Sequence, residues 1–201
     1  MANASIGMLY PVFAQLDSHT DGSMPTYKTG RVIQEARGAT VTYEYNDNPL
    51  YGDNRIVDED NGMTGLTIEF ESTGLDDGDR ELLFGEDIYV DNGTTMGHWV
   101  GDNATPYGGF AYIRKMRDKG TLNYEAWLTL KIKFTETRQE TRTQEGNQIT
   151  WGTPTISGRA AALDVDSSGT NRFRLHQTFE TLSAAKTWIN NLLNISAGTT
   201  T

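Results

Sequence analysis

The sequence predicts a mainly β domain interrupted by two helices. Apolar and polar residues alternate with period two through several segments, as in strands with one buried face. Glycine is frequent, at 21 residues, which suits many turns between short strands. One segment near the C-terminus instead carries an apolar stripe at helical spacing. The length of 201 residues suits one all-β domain, or one domain with projecting arms.

The first strand of a pair runs over 39–45, where Ala39, Val41, Tyr43 and Tyr45 alternate with Thr40, Thr42 and Glu44. Its partner, 64–71, alternates Leu66, Ile68 and Phe70 with Thr67, Glu69 and Glu71. Between them lies a polar connection over 46–63, which is long for a compact domain, and such loops are usually functional. The matching alternation on either side makes 39–45 and 64–71 an antiparallel pair with a projecting excursion at its tip. Thr40, Thr42, Glu44, Thr67, Glu69 and Glu71 would then share one polar face.

A short helix follows over 77–84, capped by Asp76 or Asp77 and ended by Gly85. The next strand runs from Phe110 to Met116, and Asp118-Lys119-Gly120 turns it into a longer one. That strand, Leu122 to Phe134, puts Leu122, Tyr124, Ala126, Leu128, Leu130, Ile132 and Phe134 on one side. It would span roughly 43 Å, about twice the usual length. Over 135–147 the alternation continues with no apolar face: Glu136, Arg138, Glu140 and Arg142 interleave with threonines and Gln139. Such a strand is either a solvated hairpin arm or is completed by a neighbouring chain. A strand containing Phe173, Leu175 and Phe179 precedes the second helix, 183–194. Ser183 is its expected cap, and Ala185, Trp188, Ile189, Leu192 and Leu193 form its apolar stripe. The tail over 195–201 reads as flexible.

The net charge is −10, which argues against a nucleic-acid binder, since that needs a basic footprint. The absence of cysteine excludes disulfides and thiolate metal sites. No window approaches a membrane span, and the first residues do not form a signal peptide. His19, His98 and His176 show no metal-ligand spacing, and no nucleophile-elbow pattern is present. No cofactor and no catalytic group is expected. Asp58-Glu59-Asp60 reads as a charged loop before it reads as a cation site. Asp164-Val-Asp166-Ser-Ser168-Gly169 matches the first half of a calcium loop, but Leu175 stands where the bidentate carboxylate belongs. A Gly-containing turn explains it as well.

Several of these stretches, taken in order, carry a resemblance. Ile6-Gly-Met-Leu-Tyr-Pro-Val-Phe-Ala, Asn48-Pro-Leu-Tyr-Gly-Asp-Asn, Asp58-Glu-Asp-Asn-Gly-Met-Thr-Gly-Leu-Thr-Ile and Gly109-Phe-Ala-Tyr-Ile-Arg are the first four. Leu130-Lys-Ile-Lys-Phe-Thr-Glu, Thr153-Pro-Thr-Ile-Ser-Gly and the ending from Thr178-Phe-Glu-Thr to Trp188-Ile-Asn complete it. Over residues 6–192 the chain resembles the major tail proteins, or tail tube proteins, of long, non-contractile-tailed phages of Gram-positive bacteria. No single motif is diagnostic; order and spacing together carry the likeness. The polar arm 135–147 departs from it, and nothing transfers there.

The resemblance implies a single tail-tube domain over 1–201: a β-sandwich or partial barrel with a flanking C-terminal helix. It implies hexameric rings of self-associated copies, stacked into a hollow tube around a tape measure protein. Tail terminator and distal tail proteins would be further partners, in the virion and in the host cytoplasm during assembly. DNA would pass through the lumen without specific binding, and an acidic lumen would repel its phosphates. On this reading Glu44, Glu69 and Glu71 are lumen candidates. Leu50, Tyr51, Asp53, Asp58, Asp60, Glu136, Arg138, Glu140 and Arg142 are candidates for intersubunit contact. The alternatives are a carbohydrate-binding β-sandwich module, resting on Trp127 and Trp151 as a stacking shelf, and a related virion part such as a tail terminator or distal tail protein.

Overall fold

The computed structural model describes residues 4–33, 36–46, 48–52, 55–60, 62–101, 104–118, 120–138 and 155–195. In chain order the elements are β1 (Ala4–Ser18), β2 (Thr26–Tyr27), β3 (Arg31–Val32), β4 (Ala36–Tyr45), β5 (Asn48–Gly52), β6 (Arg55–Asp60) and β7 (Met63–Ser72). Then come α1 (Asp77–Phe84), β8 (Asp87–Asp91), β9 (Thr94–Trp99), β10 (Gly108–Asp118), β11 (Thr121–Arg138), β12 (Thr155–Ala160), β13 (Arg174–Phe179) and α2 (Leu182–Leu192).

Nine strands share one antiparallel sheet, whose main path is β2-β1-β10-β11-β12-β7-β4. It bends back on itself but does not close, because β4 at its end pairs with β7 and not with β1. The product is a sandwich-like partial barrel with α2 on its outside. The spine is β11. Its first half pairs with β10 and β13; its second half pairs with β12.

Two cores result, one on each face of the β1–β10–β11 layer. The first lies inside the fold, between that layer and the β12–β7–β4 layer. Phe13, Phe110 and Phe134 meet edge-on at 5.1–5.8 Å, and Phe70 meets Phe110 at 5.5 Å. These geometries favour ring quadrupoles beyond area burial alone. Gly158 has to be glycine here, since a Cβ would stand 2.6 Å from the Phe134 ring. The second core lies outside, where Ala185, Ile189 and Leu193 of the α2 segment cover Val12, Ala111, Ile113, Ala126 and Leu128.

Period-two reading places Leu122 through Phe134 on one side, and the structure corrects this. Ala126, Leu128 and Leu130 belong to the outer core, whereas Ile132 and Phe134 belong to the inner one. A β-bulge causes the switch. Gly108 partners Ile132 but Phe110 partners Thr129, so β11 carries an extra residue in between. A bulge breaks alternation and turns the strand. In β1 a second bulge sits between Leu9 and Val12, where Tyr10 takes a left-handed φ of 54°. It lets both Met8 and Phe13 reach the inner core.

The helices begin where side chains satisfy their first amides. Asp76 accepts from the Asp79 amide at 2.7 Å, and Gly85 ends α1 with a left-handed φ of 68°. For α2 the cap is Thr181, whose hydroxyl accepts from the Ala184 amide at 3.2 Å. The expected cap, Ser183, lies two residues on, within the first turn, because Thr181 is the last extended residue. Trp188 flanks the outer core and packs near Phe179 at 6.0 Å.

Tyr27 ties this arrangement together. Its hydroxyl donates to the Leu130 carbonyl at 2.7 Å, a carbonyl at the β11 bulge. Burial pushes its phenol well above the usual range. Tyr27→Phe leaves that carbonyl without its partner and is expected to cost about 1–2 kcal/mol. Urea unfolding followed by circular dichroism measures this.

Candidate assembly surfaces

The excursion over 46–63 is a hairpin. Tyr45 partners Met63 at the end of the β4–β7 pair, and the Asn46 amide donates to the Gly62 carbonyl at 2.7 Å. Beyond, β5 and β6 pair from Asn48–Asp60 to Gly52–Arg55 as a separate two-stranded sheet. Leu50 lies opposite Asp58 and Tyr51 opposite Ile56. The candidates Leu50, Tyr51, Asp58 and Asp60 therefore share one hairpin, while Asp53 lies outside the described residues.

A second hairpin, β8–β9, is absent from the sequence reading. Asn92 and Gly93 turn it with φ of 48° and 79°, the left-handed pair that a two-residue hairpin loop requires. Asn-Gly after the short β-prone run Ile88-Tyr89-Val90 is the signal that could have found it. Among the described residues the hairpin pairs with no strand of the main sheet. It carries Ile88, Val90 and Met96 at 45%, 53% and 60% exposure. The Tyr89 and Trp99 rings meet across it, tilted by 58° with centroids 5.2 Å apart.

The polar face of the β4–β7 pair forms as expected. Thr40 lies opposite Glu69 and Thr42 opposite Thr67. The face continues over β12 and β11, where Ser157 neighbours Glu69, Arg159 neighbours Thr67, and Lys133 neighbours Arg159. Glu69 and Glu71 are exposed. Glu44 is engaged: it meets Arg159 at 3.1 Å and accepts from the Thr67 hydroxyl at 3.1 Å. Lys131 and Lys133 both rest on the Tyr107 ring, at 4.9 and 5.4 Å. The surface thus grades from acidic at β7 to basic at β11.

The other sequence candidates fall in two places. Glu136 turns to its own chain, where Arg80 binds it at 3.0 Å and also holds the buried Glu86 at 2.9 Å. Arg138 lies opposite Thr155 at the end of β11. Glu140 and Arg142, with the rest of 139–154 including Trp151, lie outside the described residues, as does 196–201.

Two of the groups weighed for chemistry, Asp166 and Trp127, are engaged in structural contacts. Asp166 accepts from the Ser168 amide and hydroxyl at 3.1 and 2.5 Å and pairs with Arg172 at 3.1 Å. The 164–169 segment is a turn whose carboxylate is already held by an arginine. Among the described residues no group of three His, Asp or Glu side chains is arranged to hold a metal. Trp127 offers no open stacking face, with Arg174 over its ring at 4.3 Å and His176 against it at 4.4 Å. Among the described residues, no helix is long and apolar enough to cross a membrane.

No protein-family model matches the chain, and no curated protein matches it. Among solved structures it is similar to a chain of the anti-feeding prophage (AFP) baseplate, 6-fold symmetrised. The two share 10% identity with a TM-score of 0.36, over 89% of this chain and 97% of that one. So loose a superposition assigns no function.

One charged group in this region carries a pH signature. Asp79 is buried in α1; burial raises its carboxyl above the usual 3.8, and the Arg31 guanidinium only partly opposes this. An acid whose folded pKa is raised loses stability as pH climbs from the ordinary carboxylate value through the folded one. Asp79→Asn removes that loss. The variant should therefore gain on the wild type as pH rises from about 3 towards neutrality, which thermal melts across that range would show.

Proposed function

We propose that this chain is a structural, non-catalytic subunit that assembles with copies of itself, and that the assembly is the tube of a phage tail. The observation that carries the reading is the β8–β9 hairpin. Its Ile88, Val90 and Met96 stand exposed on strands that project from the sheet. Exposed apolar residues gathered on one arm mark an interaction site more often than a solvated surface. The β5–β6 hairpin likewise forms a two-stranded sheet of its own beyond the β4–β7 pair. The exposed apolar residues of β8–β9 gain little in a monomer, whereas a neighbour in a ring would cover them. The sequence resemblance supplies the finer identity: hexameric rings, stacked around a tape measure protein.

On this reading the β4–β7 face lines the lumen. Glu69 and Glu71 supply its negative charge, with Glu44 largely neutralised by Arg159. Screening over about 8 Å makes the local placement of these carboxylates matter more than the total charge.

Negative-stain electron microscopy of the concentrated protein, with and without seeding tail complexes, tests the proposal. Hollow uniform tubes of stacked rings are expected. A single closed ring would favour a terminator-type or distal tail role, and a persistent monomer would remove the self-assembly reading. Deleting 48–60 should leave a folded monomer that makes no tubes; normal tubes from it would show that the β5–β6 hairpin is not a contact. Replacing Glu69 and Glu71 by Lys should permit assembly but impair DNA delivery, and unchanged infectivity would count against the lumen assignment.

A further inference from the structure

The sheet fails to close at one seam, and that seam is not empty of chemistry. A cavity of about 450 Å³ opens between the start of β1, at Ser5 to Met8, and the inner face of β4. Among the described residues, β4 pairs only with β7, and β1 before Val12 pairs only with β10. Two unpaired strand edges therefore flank the opening.

Three arginines converge on it: Arg37, Arg114 and Arg174. Arg174 is fixed, donating to the Tyr43 and Tyr112 hydroxyls at 3.0 Å each and lying over Trp127. Arg114 is held by Glu125 at 2.7 Å. Burial opposes ionisation of Glu125, but contacts from Trp127 and Arg114 outweigh it and keep that carboxyl below its usual range. Arg37 is exposed and pairs with no acid among the described residues. The seam thus carries a net positive charge in a chain whose total is −10.

The same chain carries a strand of complementary character. In Asp87-Ile88-Tyr89-Val90-Asp91, acids stand at both ends and exposed apolar residues between. One edge of β8 pairs with β9, and the other pairs with no described strand. Its root lies away from the seam: Gln15, roughly 20 Å along β1 from Met8, donates to the Leu82 carbonyl at the end of α1. The root of the strand and the Met8 end of the seam therefore lie apart along β1, a placement that suits contact between copies. A contact of two different surfaces propagates into a ring or a filament.

Resting on the self-assembly reading, we propose that β8 of one copy adds as a strand at the β1–β4 seam of a second copy, its aspartates meeting the seam arginines. Because β9 already holds one edge of β8, the added strand satisfies one of the two seam edges, an edge that would otherwise template aggregation. Ile88 and Val90 gain cover against the apolar lining of Met8, Val41 and Tyr43.

The test uses the full chain and a labelled cyclised hairpin peptide spanning residues 86–100, followed by fluorescence anisotropy. Saturable binding is expected. Arg37→Glu should weaken it about tenfold or more, and a peptide with Asp87→Lys and Asp91→Lys should bind the Arg37→Glu chain better than the wild type. No saturable binding, or binding indifferent to Arg37, overturns the proposal. Assembly gives the second measurement. Tubes that form equally well from wild type, Arg37→Glu and Asp87→Lys/Asp91→Lys chains would sink the seam and leave the tube reading intact. Specific peptide binding by a chain that never polymerises would do the reverse.

Discussion

The strand β11 is shared by two packing surfaces, and the rest of the fold depends on that sharing. Its first half presents Ala126 and Leu128 to α2; its second presents Ile132 and Phe134 to the inner core. The bulge near Leu130 makes the exchange possible, and Tyr27 holds the carbonyl that the bulge releases. Without the switch one continuous apolar face would run the length of the strand. The second half of β11 would then turn its apolar residues away from β7 and β12. Because β11 changes cores midway, one chain can build an inner sandwich and an outer helix layer around the same strand.

Much of this was legible in the residues. The β4–β7 pair, its polar face and its projecting tip follow from alternation on either side of a long loop. Both helices follow from caps and stripes, with α2 off by its capping residue. The division of β11 was not legible, because a bulge adds a residue without changing composition, and Leu130 and Ile132 look alike in a period-two count. The β8–β9 arm was missed for a different reason. Its apolar residues face solvent, so they form no one-sided pattern, and only Asn92-Gly93 marks the turn. The arginine seam was also out of reach. Arg37, Arg114 and Arg174 lie on three strands that meet only after the sheet bends.

Charge placement separates the outside of the sheet from its mouth. On the outer face Arg159 and Glu44 bridge across β7 above Gly65, where a side chain would collide with the Glu44 carboxylate. Exposed pairs of this kind contribute little to stability. Their effect is to leave Glu69 and Glu71 as the free negative charge of β7. At the mouth the order reverses, with guanidinium groups stacked on aromatic rings and one glutamate among them. Three arginines gathered in one recess of an acidic chain give that recess a sign opposite to the chain's total charge.

The pairing of β1 also sets an order of events during synthesis. Ala4 finds its partner at Arg117, and Gln15 at Gly108, so the first strand waits for the middle of the chain to emerge. Translation delivers about 5–20 residues per second. For several seconds, therefore, the segment that later walls the seam has no sheet to join. Pairings so distant in sequence slow folding. The β1 wall of the seam comes into being only after β10 has been made, so the seam is among the last features of the sheet to form.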